Sequence, residues 1–297
     1  LSLNKLKGDS NDSEKGLEFK TLDFSNLMED ITFELTNAQK KVLDEILNDF
    51  KDGKLMNRLV QGDVGSGKTL IALISAFIAI KNGFQVCLMA PTEVLANQHY
   101  LYFTEIFSKH NIKTVLLTGS QKKRERRFCL EDIECGFAEM IIGTHAVIQD
   151  GVNFDNLGYV ITDEQHRFGV KQREILSKKG LNPHVLVMTA TPIPRTLALI
   201  LYGDLDISIV DELPPGRQKI DTFRVNTSYR KRINNFIKEE VKKGRQCYII
   251  CPTIEETENQ QLKSVVSYTE KLKEELEDIE VECLHGKMKQ ELKNHIM

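Results

Sequence analysis

The 297-residue chain predicts an α/β fold, a mostly parallel sheet with helices on both faces, and three observations carry that expectation. Short apolar runs recur without the alternating polarity of half-exposed strands, as strands covered on both sides require. Helix-period patterns separate those runs, and strand–helix alternation is the pattern of a parallel sheet. A glycine-rich turn joins the first run to the most apolar of the helical patterns.

In chain order, Thr36 predicts the cap of a helix whose apolar positions Val42, Leu43, Ile46, Leu47 and Phe50 recur at three and four residues and which ends near Gly53. Strands are predicted at 56–60, 84–90, 113–117, 140–142, 159–161 and 185–188. Helices are predicted between them at 69–80, 93–107, 122–130, 172–176 and 195–201. Periodicity fails over 204–217, where Pro214, Pro215 and Gly216 stand, which places a domain junction between about 205 and 220. A second α/β unit then begins, with strands expected at 222–225, 247–250 and 281–283 and helices at 229–241 and 258–277. The expected division is a linker remnant and connector at 1–32, a first domain at 33–210 and a partial second domain at 211–297.

Composition narrows the function classes. Forty Lys plus Arg against 43 Asp plus Glu, a net charge of -3 and 41% hydrophobic residues exclude a disordered or basic-tail polymer. Eighteen Gly and seven Pro exclude a collagen-like repeat. Near-neutrality leaves a nucleic-acid partner open, because a groove needs only a local basic surface. No stretch approaches the roughly 18 apolar residues of a bilayer crossing, so no membrane partner and a cytoplasmic location are expected. The six cysteines make no CxxC pair, and Cys87, Cys247, Cys251 and Cys283 lie in apolar runs that predict buried thiols. Leu1 in place of Met, and an end at Met297 inside a helix-like run, lead us to expect a fragment.

Gly62-Asp63-Val64-Gly65-Ser66-Gly67-Lys68-Thr69 fits G-x-x-x-x-G-K-[ST] between a strand and a helix. Its glycines let backbone amides curl around phosphate oxygens; Lys68 reaches the terminal phosphates and Thr69 ligates Mg²⁺. Such a loop also serves transporters, kinases and GTPases, but no Asn-Lys-x-Asp guanine-reading pattern is present. The strand over 157–162 runs into Asp163-Glu164-Gln165-His166. Asp163 is placed to hold Mg²⁺ through water, Glu164 to activate the attacking water, and Gln165 and His166 to sense the γ phosphate and relay its loss toward Thr189-Ala190-Thr191. Gln39, shortly after Phe33, offers an amide donor and acceptor to an adenine edge. Beyond Gly119, the run Lys122, Lys123, Arg124, Arg126 and Arg127 can meet a phosphate backbone without reading sequence, whereas the basic-rich 230–245 stretch, offset by Glu239 and Glu240, reads as a solvated helix.

Taken as an ordered set, Phe33-x-x-Thr36-x-x-Gln39, the phosphate loop, Ala90-Pro91-Thr92-Glu93, Gly143-Thr144-His145, Asp163-Glu164-Gln165-His166 and Thr189-Ala190-Thr191-Pro192 resemble the first motor domain of superfamily 2 helicases. Within that superfamily the chain is most similar to the bacterial branch-migrating RecG family, through 61–69, 163–170, 189–196 and Asp211-Glu212-Leu213-Pro214-Pro215-Gly216-Arg217, over about residues 17–297. The resemblance implies two RecA-like P-loop motor domains with ATP and Mg²⁺ between them. It implies adenine recognition by Phe33 and Gln39, and phosphate, magnesium and hydrolytic roles for Lys68, Thr69, Asp163, Glu164 and His166. Pro91, Thr92, Glu93, Thr118, Gly119, Gly143, Thr144 and His145 match segments that run along nucleic-acid backbone, with Lys122 and Lys123 beside them. A monomeric motor acting on forked or branched duplex DNA is implied, with a wedge domain and the rest of the second motor expected outside this chain. A transcription-repair coupling translocase and a non-catalytic, nucleotide-switched DNA-binding module are the alternatives.

Overall fold

The computed structural model describes residues 16–163, 175–176, 179–191, 205–214, 220–252 and 264–296. The chain divides into two compact units, Leu1–Gln218 and Lys219–Met297.

The first unit opens with a short helix α1 (Ser25–Met28) and the longer α2 (Asn37–Lys51), then alternates β1 (Asn57–Gly62), α3 (Lys68–Lys81), β2 (Gln85–Met89), α4 (Glu93–Phe107), β3 (Thr114–Leu117), α5 (Lys123–Glu134), β4 (Met140–Gly143), β5 (Leu157–Asp163), β6 (His184–Thr189) and β7 (Asp206–Val210). All pairings are parallel, in the order β3-β4-β2-β5-β6-β1-β7. Alternate strand residues enter opposite cores, as the two-residue strand period dictates. Val60, Leu88, Ile142, Ile161 and Met188 pack with α2, α3 and α4. Leu59, Met89, Ile141, Val160 and Val187 pack on the other face with Ile133 of α5. Both sides are therefore dry, which is why the strand sequences read as unbroken apolar runs.

α2 begins where predicted, because Thr36 and Gln39 form a reciprocal capping box: Thr36 Oγ1 accepts from the Gln39 amide at 3.2 Å and Gln39 Oε1 from the Thr36 amide at 2.9 Å. From Leu70 to Ile80 every side chain of α3 is buried, so this helix carries no polar stripe. Upstream of α2, Phe19 is buried against Phe50 and Phe84, and Leu27 joins the same core.

β7 departs from the sequence expectation, which placed only a junction there. It is a sheet-edge strand pairing with β1 alone, and its pattern of exposed Asp206 and Ile209 against buried Ser208 and Val210 lacks the apolar run that marks the interior strands. Its place is secured by an ion cluster: Arg58 of β1 bonds Asp49 at 2.7 Å and Glu45 at 3.2 Å, both on α2, and Ser208 of β7 at 2.8 Å. Burial raises the Asp49 carboxyl above its usual pKa, against the pull of Arg58.

In the second unit the described helices are α6 (Arg230–Lys242), α7 (Val265–Glu275) and α8 (Gln290–Ile296), with a small core of Ile237, Leu272 and Leu276. The strands expected at 222–225, 247–250 and 281–283 do not form among the described residues. A strand exists only through a hydrogen-bonded neighbour, and these segments lack one; Phe223, Tyr248 and Ile250 are 81%, 80% and 93% exposed. The thiol expectation changes accordingly. Cys87 is buried in β2 and its pKa is pushed up by desolvation, but Cys247 is exposed and Cys251 and Cys283 are partly so. The predicted 195–201 helix, most of the 172–176 helix and residues 258–263 lie outside the described residues. No helix among the described residues is long and apolar enough to cross a membrane.

Candidate functional site

Every motif singled out in the first unit, where it is described, sits at or just beyond the carboxyl end of a strand or in the capping turn of α2. A parallel sheet makes this edge the natural site, since all its loops emerge together and its helices start there.

β1 ends at Gly62 and the chain turns through Gly65 and Gly67, both at positive φ (77° and 87°), before α3 begins at Lys68. That left-handed geometry aims successive amides inward as an anion nest, and no side chain other than Gly adopts it cheaply. Lys68 Nζ lies back along the loop, donating to the carbonyls of Gly62 at 2.7 Å and Asp63 at 2.9 Å. Asp63 Oδ1 accepts from the Val64 amide at 2.7 Å. Thr69 stands in the first turn of α3. Ser66 Oγ is buried and has no protein partner. A buried hydroxyl without one is costly, and in this nest a phosphate oxygen or its hydration shell is the group that suits it.

Gln39 is 2% exposed and spans two elements: its Oε1 closes the capping box while Nε2 donates to the Ser66 carbonyl at 2.8 Å. The residue singled out for adenine thus also braces the phosphate loop. Phe33, half exposed, lies three residues before the cap. Glu212, beyond β7, accepts from the Ala38 amide at 3.1 Å and sets a negative charge at the amino end of α2. A cavity of about 330 Å³ opens against Gln61, Gly62 and Asp63, walled by Ala190, Ile209, Val210, Asp211 and Leu213. At its edge Thr189 and Thr191 share a 2.8 Å hydroxyl contact.

Asp163 ends β5. It pairs with Met188 of β6, which pairs with Val60 of β1, so the three lie in one row across the sheet. Two inter-strand steps put the acid about 10 Å from Val60, two residues before the phosphate loop begins at Gly62. Asp163 Oδ2 also accepts from His99 Nε2 of α4 at 2.8 Å. Glu164, Gln165 and His166 lie outside the described residues.

The other half of the edge gathers the segments assigned to nucleic acid. Pro91 and Thr92 follow β2, and Thr92 Oγ1 caps α4 by accepting from the Leu95 amide at 3.3 Å. Glu93 bonds Ser120 through both oxygens, at 3.0 Å to its amide and 2.7 Å to its hydroxyl. Its carboxylate holds the Thr118–Gly119 turn, a fitter task than facing a phosphate of like charge. Gly143 lies so close to the Leu117 carbonyl that a Cβ would collide with it. Thr144 is buried, whereas Gly119, Lys122, Lys123 and His145 are exposed. On α5, Arg124 and Arg127 flank the exposed Phe128 ring at 5.7 and 5.4 Å, and Arg126 bonds Gln149 at 3.0 Å.

Sequence reasoning passed over His99 and gave Glu212, though part of the 211–217 run, no structural role. His99 had a signal: with Ala96 and Phe103 it forms the buried stripe of α4, and a ring nitrogen on such a stripe needs a partner. Nothing local identifies that partner, which lies 64 residues away. For Glu212 the sequence gives the motif but not the contact, its target amide being 174 residues distant.

A family model for DEAD/DEAH box helicases matches residues 36–200. The chain is 48% identical over 272 residues to the ATP-dependent DNA helicase RecG of Aquifex aeolicus strain VF5, covering 91% of this chain and 34% of that protein. It is 50% identical over 268 residues to the protein of the same name from Streptococcus pneumoniae serotype 4, covering 90% and 40%. The chain thus spans about a third to two-fifths of the length of the curated relatives it matches. A solved structure of RecG bound to a three-way DNA junction superposes with a TM-score of 0.74 at 40% identity, over 95% of this chain and 36% of that one. Strong homology to RecG therefore runs across most of the sequence, with the parallel sheet included. Because the family model takes in the phosphate loop and the Asp163 strand together, over more than half of the sequence, the chain belongs to the DEAD/DEAH box helicase family.

Proposed function

We propose that this chain supplies the ATP-binding motor of a RecG-type translocase, which moves on forked or branched duplex DNA at stalled replication forks and recombination intermediates and couples ATP hydrolysis to branch migration. Identity near one half with RecG proteins over nine-tenths of the chain is the observation that carries this reading. On it, 33–210 is the first motor domain, 211–297 opens the second, and 1–32 is the connector. The wedge domain and the rest of the second motor belong to an enzyme of the relatives' length, working as a monomer in the cytoplasm.

The chemistry assigned to the site follows from its residues. The nest at Gly65–Thr69 and the partnerless Ser66 hydroxyl fit the phosphates of ATP. Lys68 leaves the Gly62 and Asp63 carbonyls to meet the terminal phosphates, where its ammonium faces full negative charge in place of two neutral acceptors. Thr69 and Asp163 are the groups that would hold Mg²⁺, which would supply positive charge against the charge developing on the phosphates. Glu164 takes the proton of the attacking water, and His166 carries the loss of the phosphate toward Thr189–Thr191. Closing and reopening a cleft between two motors then alternates the grip on the DNA backbone at Thr92, Gly119, Lys122, Lys123 and His145.

ATP turnover by the protein at the relatives' full length, compared on forked DNA, linear duplex and single strands, tests the proposal. Strongest stimulation by the fork is expected, with Lys68→Ala and Glu164→Gln abolishing it. Turnover indifferent to both substitutions defeats the site; equal stimulation by all three DNAs defeats the branched substrate.

A further inference from the structure

Resting on the nucleotide-site reading above, we propose that His99 is the positioning residue of the magnesium-holding acid: its ring N–H fixes one oxygen of Asp163 and leaves the other for the metal's hydration shell. A carboxylate ending a strand has two soft torsions and two equivalent oxygens, and without a partner it samples many orientations. Here Nε2 of His99 stands 2.8 Å from Oδ2 of Asp163. An ionised carboxylate only accepts, so Nε2 carries the hydrogen. Both groups are largely removed from water, their side chains 9% and 15% exposed.

The ring has little freedom of its own. It stands edge-on to Phe103, ring centroids 6.4 Å apart and planes at 85°, in the buried stripe of α4 with Ala96 at 0% exposure. α4 is itself capped by Thr92 at the carboxyl end of β2, the strand that pairs with β5. The helix that begins on the nucleic-acid half of the edge therefore reaches over to orient the acid of the nucleotide half. Partners of metal-holding carboxylates commonly govern affinity for the metal by about 10- to 100-fold, the size of effect assigned to His99.

Equilibrium binding of a fluorescent, non-hydrolysable ATP analogue to the full chain provides the test, in EDTA and along a magnesium titration. His99→Phe keeps the packing against Phe103 without the donor, and His99→Gln restores an N–H at similar reach. His99→Phe is expected to raise the half-saturating magnesium concentration about tenfold or more and to leave affinity in EDTA unchanged, whereas His99→Gln is expected to recover most of the loss. An unchanged magnesium midpoint in a His99→Phe chain whose melting temperature matches the wild type overturns the proposal. Equal loss with and without magnesium also overturns it, because the ring then only supports the helix. Lys68→Ala separates the two levels: if wild type and Lys68→Ala bind the analogue alike, the nucleotide site itself fails, whereas a Lys68-dependent site with a His99-independent midpoint removes His99 alone.

Discussion

The two halves of the sheet's carboxyl edge are built differently. On the β5–β6–β1–β7 half the functional side chains are tied to backbone or to one another: Lys68 to two carbonyls, Gln39 to Ser66, Asp163 to His99, Glu212 to the Ala38 amide. On the β3–β4–β2 half the tied groups, Thr92 and Glu93, shape turns, while the groups that face outward, Gly119, Lys122, Lys123 and His145, are exposed. A triphosphate needs several donors placed within tenths of an ångström, which a cross-braced loop provides. A backbone-tracking surface needs only positive charge and access, which flexible exposed lysines provide. Substitutions on the first half should be severe and specific; those on the second, mild and salt-dependent.

The largest effect is expected at Arg58, which binds α2, β1 and β7 beneath the braced half. Arg58→Leu leaves Asp49 and Glu45 without their cation and should cost about 3–5 kcal/mol in urea unfolding. A cost under about 1 kcal/mol, the value of an exposed pair, would show the cluster to be superficial.

Acid tests the same scaffold. His184 is buried at the start of β6, its Nδ1 accepting from the Met56 amide at 3.1 Å and its Nε2 donating to the Leu17 carbonyl at 2.7 Å. Desolvation lowers its pKa from 6.5 to about 4, opposed by the bond to Leu17. The unfolded chain therefore binds the proton first, and stability falls as pH drops from about 6.5 toward 4, by up to roughly 3 kcal/mol. Melting curves at pH 7 and 4.5 should show that loss in the wild type and a smaller one in His184→Asn; parallel curves would contradict it.

Thr36→Ala removes the half of the capping box in which its hydroxyl accepts from the Gln39 amide and should destabilise by about 1 kcal/mol, with nucleotide binding little changed because the Gln39 side chain keeps its bonds to the Thr36 amide and the Ser66 carbonyl. Smallest is the change on the open half. Lys122→Ala with Lys123→Ala should weaken duplex binding several-fold without regard to sequence and flatten the logarithmic salt dependence by up to about 2, roughly 0.9 per phosphate contact. A sequence-dependent loss, or an unaltered slope, would take these lysines off the DNA path.

The same contrast explains what was legible in the sequence. Interior strands announce themselves because both faces are dry, and Thr36 with Gln39 or the 62–69 loop acts within a few residues, so local spacing is enough. β7 was missed because an edge strand fixed by Arg58 and Ser208 draws on partners 150 residues apart. His99 and the contact of Glu212 escaped for the same reason, and the segments around Phe223, Tyr248 and Cys283 look like strands by composition although pairing is what makes one. The sequence offered Gln39 as an amide for an adenine edge, whereas its bond to the Ser66 carbonyl is a tertiary fact.

Whether Lys68 and Asp163, carried by different strands, act on one bound nucleotide is decided most directly by a double-mutant cycle. Binding of the magnesium complex of a non-hydrolysable ATP analogue is measured for the wild type, Lys68→Ala, Asp163→Asn and the double variant. Groups sharing the ligand should show a coupling energy of about 0.5–3 kcal/mol; losses that add to within about 0.3–0.5 kcal/mol would mean that the two act independently and that the edge holds no common site.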